Sequence, residues 1–130
     1  MDDTLSQLLD DIHLSGGEFR YVQAGHPWGF TFRARGFASF HLVIAGRALL
    51  QVPGEPPLVL EAGDMAVMTS GRDHTMQDPD GAPLDAEWPD LSSLIQGHSQ
   101  APVLIGGTGE HAPLLSARFQ LDADLARPLL

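Results

Sequence analysis

Residues 63–74 read Gly63-Asp64-Met65-Ala66-Val67-Met68-Thr69-Ser70-Gly71-Arg72-Asp73-His74, a short apolar run closed at each end by a glycine turn. A run this short, bounded by Gly, Asp and Ser turns, predicts a short β-strand. The same grammar continues outward. Residues 38–44 alternate, with Phe40, Leu42 and Ile44 on one side and Ser39, His41 and Val43 on the other. Residues 28–33 alternate as well, placing Trp28, Phe30 and Phe32 on one face, with Phe19 and Tyr21 on the strand before. Further strands are expected at 47–52, 57–60, 65–69 and 74–77, separated by Ala45-Gly46, Pro53-Gly54-Glu55-Pro56 and Glu61-Ala62-Gly63-Asp64. Short strands punctuated by turns about every eight to twelve residues predict an all-β sandwich or barrel.

The flanks carry helical signals. Leu5, Leu8, Leu9 and Ile12 recur at i, i+3, i+4 and i+7, and Thr4 with Gln7 fits a capping box, so residues 4–12 predict an amphipathic helix docked on the core. Residues 78–90, rich in Pro and Asp, predict a surface loop that includes Asp85, Glu87 and Asp90. A helical turn at 91–95, a strand at 103–105 and a last strand at 114–121 follow, with loops at 96–100 and 106–111. From Asp122 the composition turns helical again. The expected layout is one domain over 1–130: helix and turn at 1–17, barrel at 18–121 and the start of a C-terminal helix at 122–130.

Composition removes several chemistries. The chain holds 17 acidic and 7 basic residues, a net charge of −10, and every basic residue is arginine. Without lysine there is no Schiff base and no phosphate-loop lysine, which leaves Gly106-Gly107-Thr108-Gly109 as a flexible loop. Without cysteine there are no disulfides, thiolate nucleophiles or sulfur-bound zinc. An acidic surface argues against gripping a nucleic-acid backbone through this chain itself. No apolar run approaches the length of a membrane span and the acidic N-terminus does not resemble a signal peptide, so a cytoplasmic location is expected.

Two blocks carry a resemblance. Gly63, Gly71 and His74 stand in the register of the second cupin motif, with Thr69 where proline is usual, and FHLVIAG at 40–46 resembles the closing half of the first. More closely, the chain resembles the N-terminal cupin domain of AraC-type transcriptional regulators. The likeness rests on LSQLLDDIHLSGGEF at 5–19, PWGFTF at 27–32, FHLVIAG at 40–46, LEAGDMAVMTSGRDH at 60–74 and ARFQLDADLARPLL at 117–130. That resemblance implies a double-stranded β-helix, or jelly-roll barrel, that binds a small-molecule effector or forms a homodimer. DNA would be read by a helix-turn-helix domain beyond the end of this chain. The terminal segment and the first helix are the implied dimer or relay surfaces.

Catalytic cupins hold a metal with histidines and a glutamate from the first motif. Counting back from Gly46 puts the glutamate position at Ser39 and the earlier histidine positions at Phe32 and Ala34, none of them a strong ligand. The expectation is therefore a non-catalytic sensor without a required cofactor, whose ligand pocket is lined by His41, His74, Trp28, Phe30, Val43 and Met76. The alternative is a stand-alone metal-dependent cupin enzyme acting on a small molecule, with a divalent metal at His41 and His74. On the residues alone, His41 and His74 either line a pocket, supply part of a metal site, or are core histidines hydrogen-bonded to the backbone. His13, His26, His98 and His111 fall in turns or loops, where surface imidazoles are the expectation. Arg33, Arg35, Arg47, Arg72 and Arg118 are candidates to clamp an acidic effector, against the plainer role of surface ion pairs.

Overall fold

β-strands dominate the computed structural model, which describes residues 3–14, 17–81, 88–95 and 101–120. In chain order the elements are α1 (Asp3–Leu14), β1 (Glu18–Gly25), β2 (Gly29–Phe32), β3 (Ala38–Val43), β4 (Arg47–Gln51), β5 (Leu58–Glu61), β6 (Met65–Met68), β7 (His74–Gln77), α2 (Leu91–Leu94), β8 (Val103–Gly106) and β9 (His111–Phe119). Two sheets form, one ordered β6-β3-β9-β1-β8 and the other β2-β7-β4-β5. All neighbours pair antiparallel except β1 with β8. Sequence neighbours such as β6 and β7 lie in different sheets, so the chain repeatedly crosses between layers as a jelly roll does.

Tight turns make those crossings, and two of them need glycine. Gly46 (φ +78°) lies between β3 and β4, and Gly71 (φ +71°) lies between β6 and β7. A Cβ on Gly71 would stand 2.7 Å from the Cα of Gly36, so two turns touch backbone to backbone there.

The main core fills the space between the sheets. Trp28, Phe30 and Phe32 from β2 and the residue before it, Leu50 from β4, Met76 from β7, and Val22, Val43 and Leu114 from the larger sheet all belong to it. A second cluster lies on the outer face of the larger sheet, where Leu9 of α1 packs with Phe40, Leu115, Ala117 and Phe119. The helix is therefore docked on this face through Leu9. It begins at Asp3, one residue before the capping box places it, so Thr4 is already helical.

Several other boundaries differ. β9 starts at His111, three residues before the expected strand. Pro113 is tolerated because the β3–β9 ladder ends at Val43 and Leu114, and beyond it Pro113 has only to accept, its carbonyl taking the Ile44 N–H at 3.0 Å. Ile44 lies beyond β3 and is exposed, as is Tyr21 on the outer face of β1, whereas Phe19 packs against the second cluster. The turn at 91–95 is a helix capped by Asp90, whose carboxylate accepts the Ser92 N–H and whose Oδ1 also takes the Arg33 N–H. Asp85, Glu87, His98 and the helix expected from Asp122 lie outside the described residues. Among the described residues no helix is long and apolar enough to cross a membrane.

Candidate functional site

His41 reaches the interior because β3 alternates. Ser39, His41 and Val43 face inward, and all three are fully buried. His74 reaches it from the other sheet, at the first residue of β7. The two rings meet Nε2 to Nε2 at 2.7 Å, bridging the sheets. The outer nitrogen of each ring also has a partner: His41 Nδ1 lies 2.7 Å from Ser116 Oγ on β9, and His74 Nδ1 lies 3.1 Å from the Arg72 carbonyl.

These partners assign every proton. A carbonyl only accepts, so His74 Nδ1–H is the donor to Arg72 and a neutral His74 presents a lone pair at Nε2. His41 must then donate from Nε2, which leaves its Nδ1 as acceptor for the Ser116 hydroxyl. The chain of donation runs Ser116 to His41 to His74 to the Arg72 carbonyl. Burial disfavours charge on both rings. It holds the His41 imidazole well below its usual proton affinity, with the neighbouring His74 adding to the effect. His74 is lowered by burial too, partly offset by its bond to the Arg72 carbonyl and by the Asp73 carboxylate.

Aromatic rings enclose the pair. Phe32 stacks on His74 at 5.0 Å between centroids and meets His41 edge-on at 4.9 Å. Phe30 lies 5.8 Å from His41, and Trp28 stacks on Phe30 at 6.0 Å. Met76 sits directly opposite Phe30 across β2 and β7. All six residues expected at the pocket, His41, His74, Trp28, Phe30, Val43 and Met76, are thus brought into the barrel interior and buried. They pack against each other and against Phe32, and two of them border open clefts. His74 adjoins a cleft of about 500 Å³ formed with Thr31, Arg33, Gln51, Pro53 and Thr75. Thr31, Gln51 and Thr75 pair with one another and face away from the core, so this cleft lies on the outside of the smaller sheet. Trp28 adjoins a cleft of about 320 Å³ that includes His26, Arg47, Asp78, Glu110 and His111.

A cupin interior invites the question of a metal. Zinc bound by two imidazoles at about 2.0–2.1 Å each in tetrahedral geometry needs their nitrogens roughly 3.3 Å apart. Here they are 2.7 Å apart with a proton between them. The positions that would complete the donor set hold Ser39, Phe32 and Ala34, and the Phe32 ring covers both imidazoles. Among the described residues no group of three His, Cys, Asp or Glu side chains is arranged to hold a metal ion. The residues present do not fit a catalytic divalent cation.

Sequence reasoning did not single out Ser116, the partner that orients His41. Its signal was the period of two shared by Leu114, Ser116 and Arg118, which becomes meaningful only when β9 is known to lie beside β3. The site arginines separate as well. Arg47 pairs with Asp80, and Arg72 bonds the Pro53 carbonyl and lies 3.5 Å from Glu55. Arg118 points inward beside Glu18.

Comparison with known proteins bears on what this barrel is. The profile of the family described as Cupin matches residues 3–130. The HTH-type transcriptional regulator AlkR of Acinetobacter baylyi is 27% identical over 130 residues, covering 98% of this chain. The chain spans 42% of that regulator's length. Among solved structures, a cupin-2 domain containing protein from Shewanella frigidimarina gives a TM-score of 0.47 at 12% identity, covering 80% of this chain and 71% of its own. A cupin 2 conserved barrel domain protein from Salinispora arenicola gives 0.44 at 16% identity, covering 86% and 66%.

Proposed function

The chain belongs to the cupin family, and from that premise we propose that it is the small-molecule-sensing and dimerisation domain of an AraC-type transcription regulator. The observation that carries this reading is the relation to AlkR over 98% of the chain while filling only 42% of that protein. A regulator of that size has room for a separate DNA-reading domain, so DNA would be contacted elsewhere and not by this acidic barrel. A cytoplasmic location accords with such a role.

Sensing needs two states of different ligand affinity. His41 and His74 face the effector in this reading, with Trp28, Phe30, Val43 and Met76 as the packed wall behind them. Occupancy would part the imidazole bridge, the hydrogen-bonded side-chain link between the sheets at this end. The helix α1, docked on the outer face of β3 and β9, is placed to feel that change because His41 and Ser116 lie on the same two strands. The enzyme alternative depends on a metal at His41 and His74, and the donor set speaks against it.

Thermal-shift screening with small carboxylates, sugars and aromatics, together with light scattering, tests the proposal. The expected result is a dimer whose melting temperature rises with one ligand class. A monomer that no compound stabilises would overturn it.

A further inference from the structure

Two rows of polar side chains face the barrel interior beyond its apolar core. Residues directly opposite across antiparallel strands share a face. Ser39, Arg118 and Glu18 stand opposite one another on β3, β9 and β1, and His41, Ser116 and Arg20 form the next row. The third row, Val43, Leu114 and Val22, is apolar and buried. Polar groups on an inward face cost free energy unless they find partners.

The second row is largely paired: His41 and Ser116 are bonded to each other, and Arg20 makes interactions of its own, although its Nε is buried without a hydrogen bond among the described residues. In the first row pairing is incomplete. Ser39 Oγ is fully buried and has no hydrogen-bond partner among the described residues, and Glu18 Oε2 is buried in the same condition. The Arg118 guanidinium stops 3.9 Å from that Glu18 oxygen, beyond hydrogen-bonding distance. Arg118 is held in place from another side, with its guanidinium carbon 4.9 Å from the centroid of the Phe37 ring, and its side chain is only 14% exposed. A buried hydroxyl without a partner and a forked cationic donor, whose Glu18 counter-ion stands 3.9 Å away, thus sit opposite one another on adjacent strands.

We propose that this row is a binding site for a monocarboxylate, with Arg118 as the bidentate anchor and Ser39 as the second donor. Both groups donate, so the occupant must be rich in acceptors, and the planar guanidinium fork matches a carboxylate. Glu18 sets the charge limit, because its carboxylate repels a dianion from the same row. Met68 stands opposite Ser39 on β6 and shares its face, offering an adaptable apolar surface to the rest of the ligand. The proposal rests on the sensor reading for its biological role and names the chemical class of effector, but its test reads binding alone.

Acetate, benzoate and octanoate are titrated into the full chain at constant ionic strength, with acetamide, benzamide and octanamide as neutral counterparts. Calorimetry and thermal shift report affinity, and the ¹⁵N-detected Nε–Hε resonance of Arg118 reports location. At least one carboxylate is expected to bind saturably and move that resonance while its amide does not. Arg118→Gln should weaken binding by about tenfold or more, as loss of a charge-assisted hydrogen bond implies, and Ser39→Ala by less. Equal binding of acid and amide, full affinity in the Arg118→Gln protein, or an unmoved Arg118 resonance at saturation would each overturn the proposal. The resonance decides the matter if the variant does not fold. Stabilisation by neutral ligands alone would retain the sensor and remove this site. Carboxylate binding at Arg118 without any effect on transcription by the full-length regulator would do the reverse.

Discussion

Acidification should destabilise this barrel at its imidazole bridge, and the size of the effect follows from burial. His41 and His74 both bind protons less readily in the folded protein than in the unfolded chain, where the ordinary value is 6.5. The unfolded state therefore takes up more protons as pH falls. The stability contributed by the neutral pair is complete above the unfolded value and is lost progressively below it, toward each folded value. A ring that remains neutral in the native state at about pH 5.5 costs a little over 1 kcal/mol relative to high pH, and two such rings about 3 kcal/mol as an upper bound. That is a large share of a usual total of ~5–15 kcal/mol. Asp73 beside His74 works in the opposite direction, while the neighbours of His41, Phe30, Phe32 and Ser116, are uncharged. Urea unfolding followed by tryptophan fluorescence between about pH 8 and pH 5.5 measures the slope. The control is the double variant His41→Phe/His74→Leu, which keeps every other ionisable group of the chain, so that contributions from elsewhere cancel in the comparison. The natural chain should lose up to about 3 kcal/mol more than the variant over that interval. Equal slopes in the two proteins would refute a buried neutral pair.

Three further outcomes are expected. Long-range ¹H–¹⁵N spectra near neutral pH should show His41 protonated at Nε2 and His74 at Nδ1, and the opposite assignment would contradict the direction of the hydrogen-bond chain. Gly71→Ala should destabilise by about 2 kcal/mol or more, combining the left-handed backbone cost with displacement of the Gly36 turn. Gly63→Ala has the same backbone strain but open space around it, so it should cost about 1–2 kcal/mol, and thermal denaturation of the two variants isolates the clash. Leu9→Ala removes the α1 anchor in the second cluster and should cost about 2–3 kcal/mol, with hydrogen exchange accelerating in α1 while the β1–β9 pairing stays protected.

Local order was readable in the chain wherever local chemistry determines it. Glycine at 46, 63 and 71 marks turns whose positive φ only glycine enters easily, and the alternation of residues 38–43 identifies which of them face inward. The convergence of His41 and His74 was accessible too, because both stand at fixed offsets from such turns. What alternation cannot supply is which strands become neighbours. β3, β9 and β1 are adjacent in space but distant in sequence, so Ser39, Arg118 and Glu18 read as three unrelated polar residues until the register aligns them. The early start of β9 escaped for a related reason: Pro113 signals a loop locally and is acceptable because it stands past the end of the β3–β9 ladder, where it only accepts from the Ile44 N–H. The aromatic face left two roles open in the sequence, cavity wall or core filling, and in the structure Trp28 stacks on Phe30 while Phe30 and Phe32 pack against the imidazoles.

The interior is thus divided along its axis, and the division constrains how such a barrel can respond to a ligand. The apolar half, from Trp28 to Leu114, is filled by large side chains, and opening it would forfeit burial worth about 1.5–3 kcal/mol for each side chain exposed. The polar half carries under-paired groups whose desolvation has already been incurred on folding, so an occupant that satisfies Ser39 and Arg118 regains free energy without exposing the core. Between the halves stands the imidazole bridge, one hydrogen bond wide and anchored to strands of both sheets. A ligand entering from the polar side would meet that bridge together with the Phe32 ring that covers it, so in the sensor reading the separation of the sheets at His41 and His74 is the distance that occupancy changes.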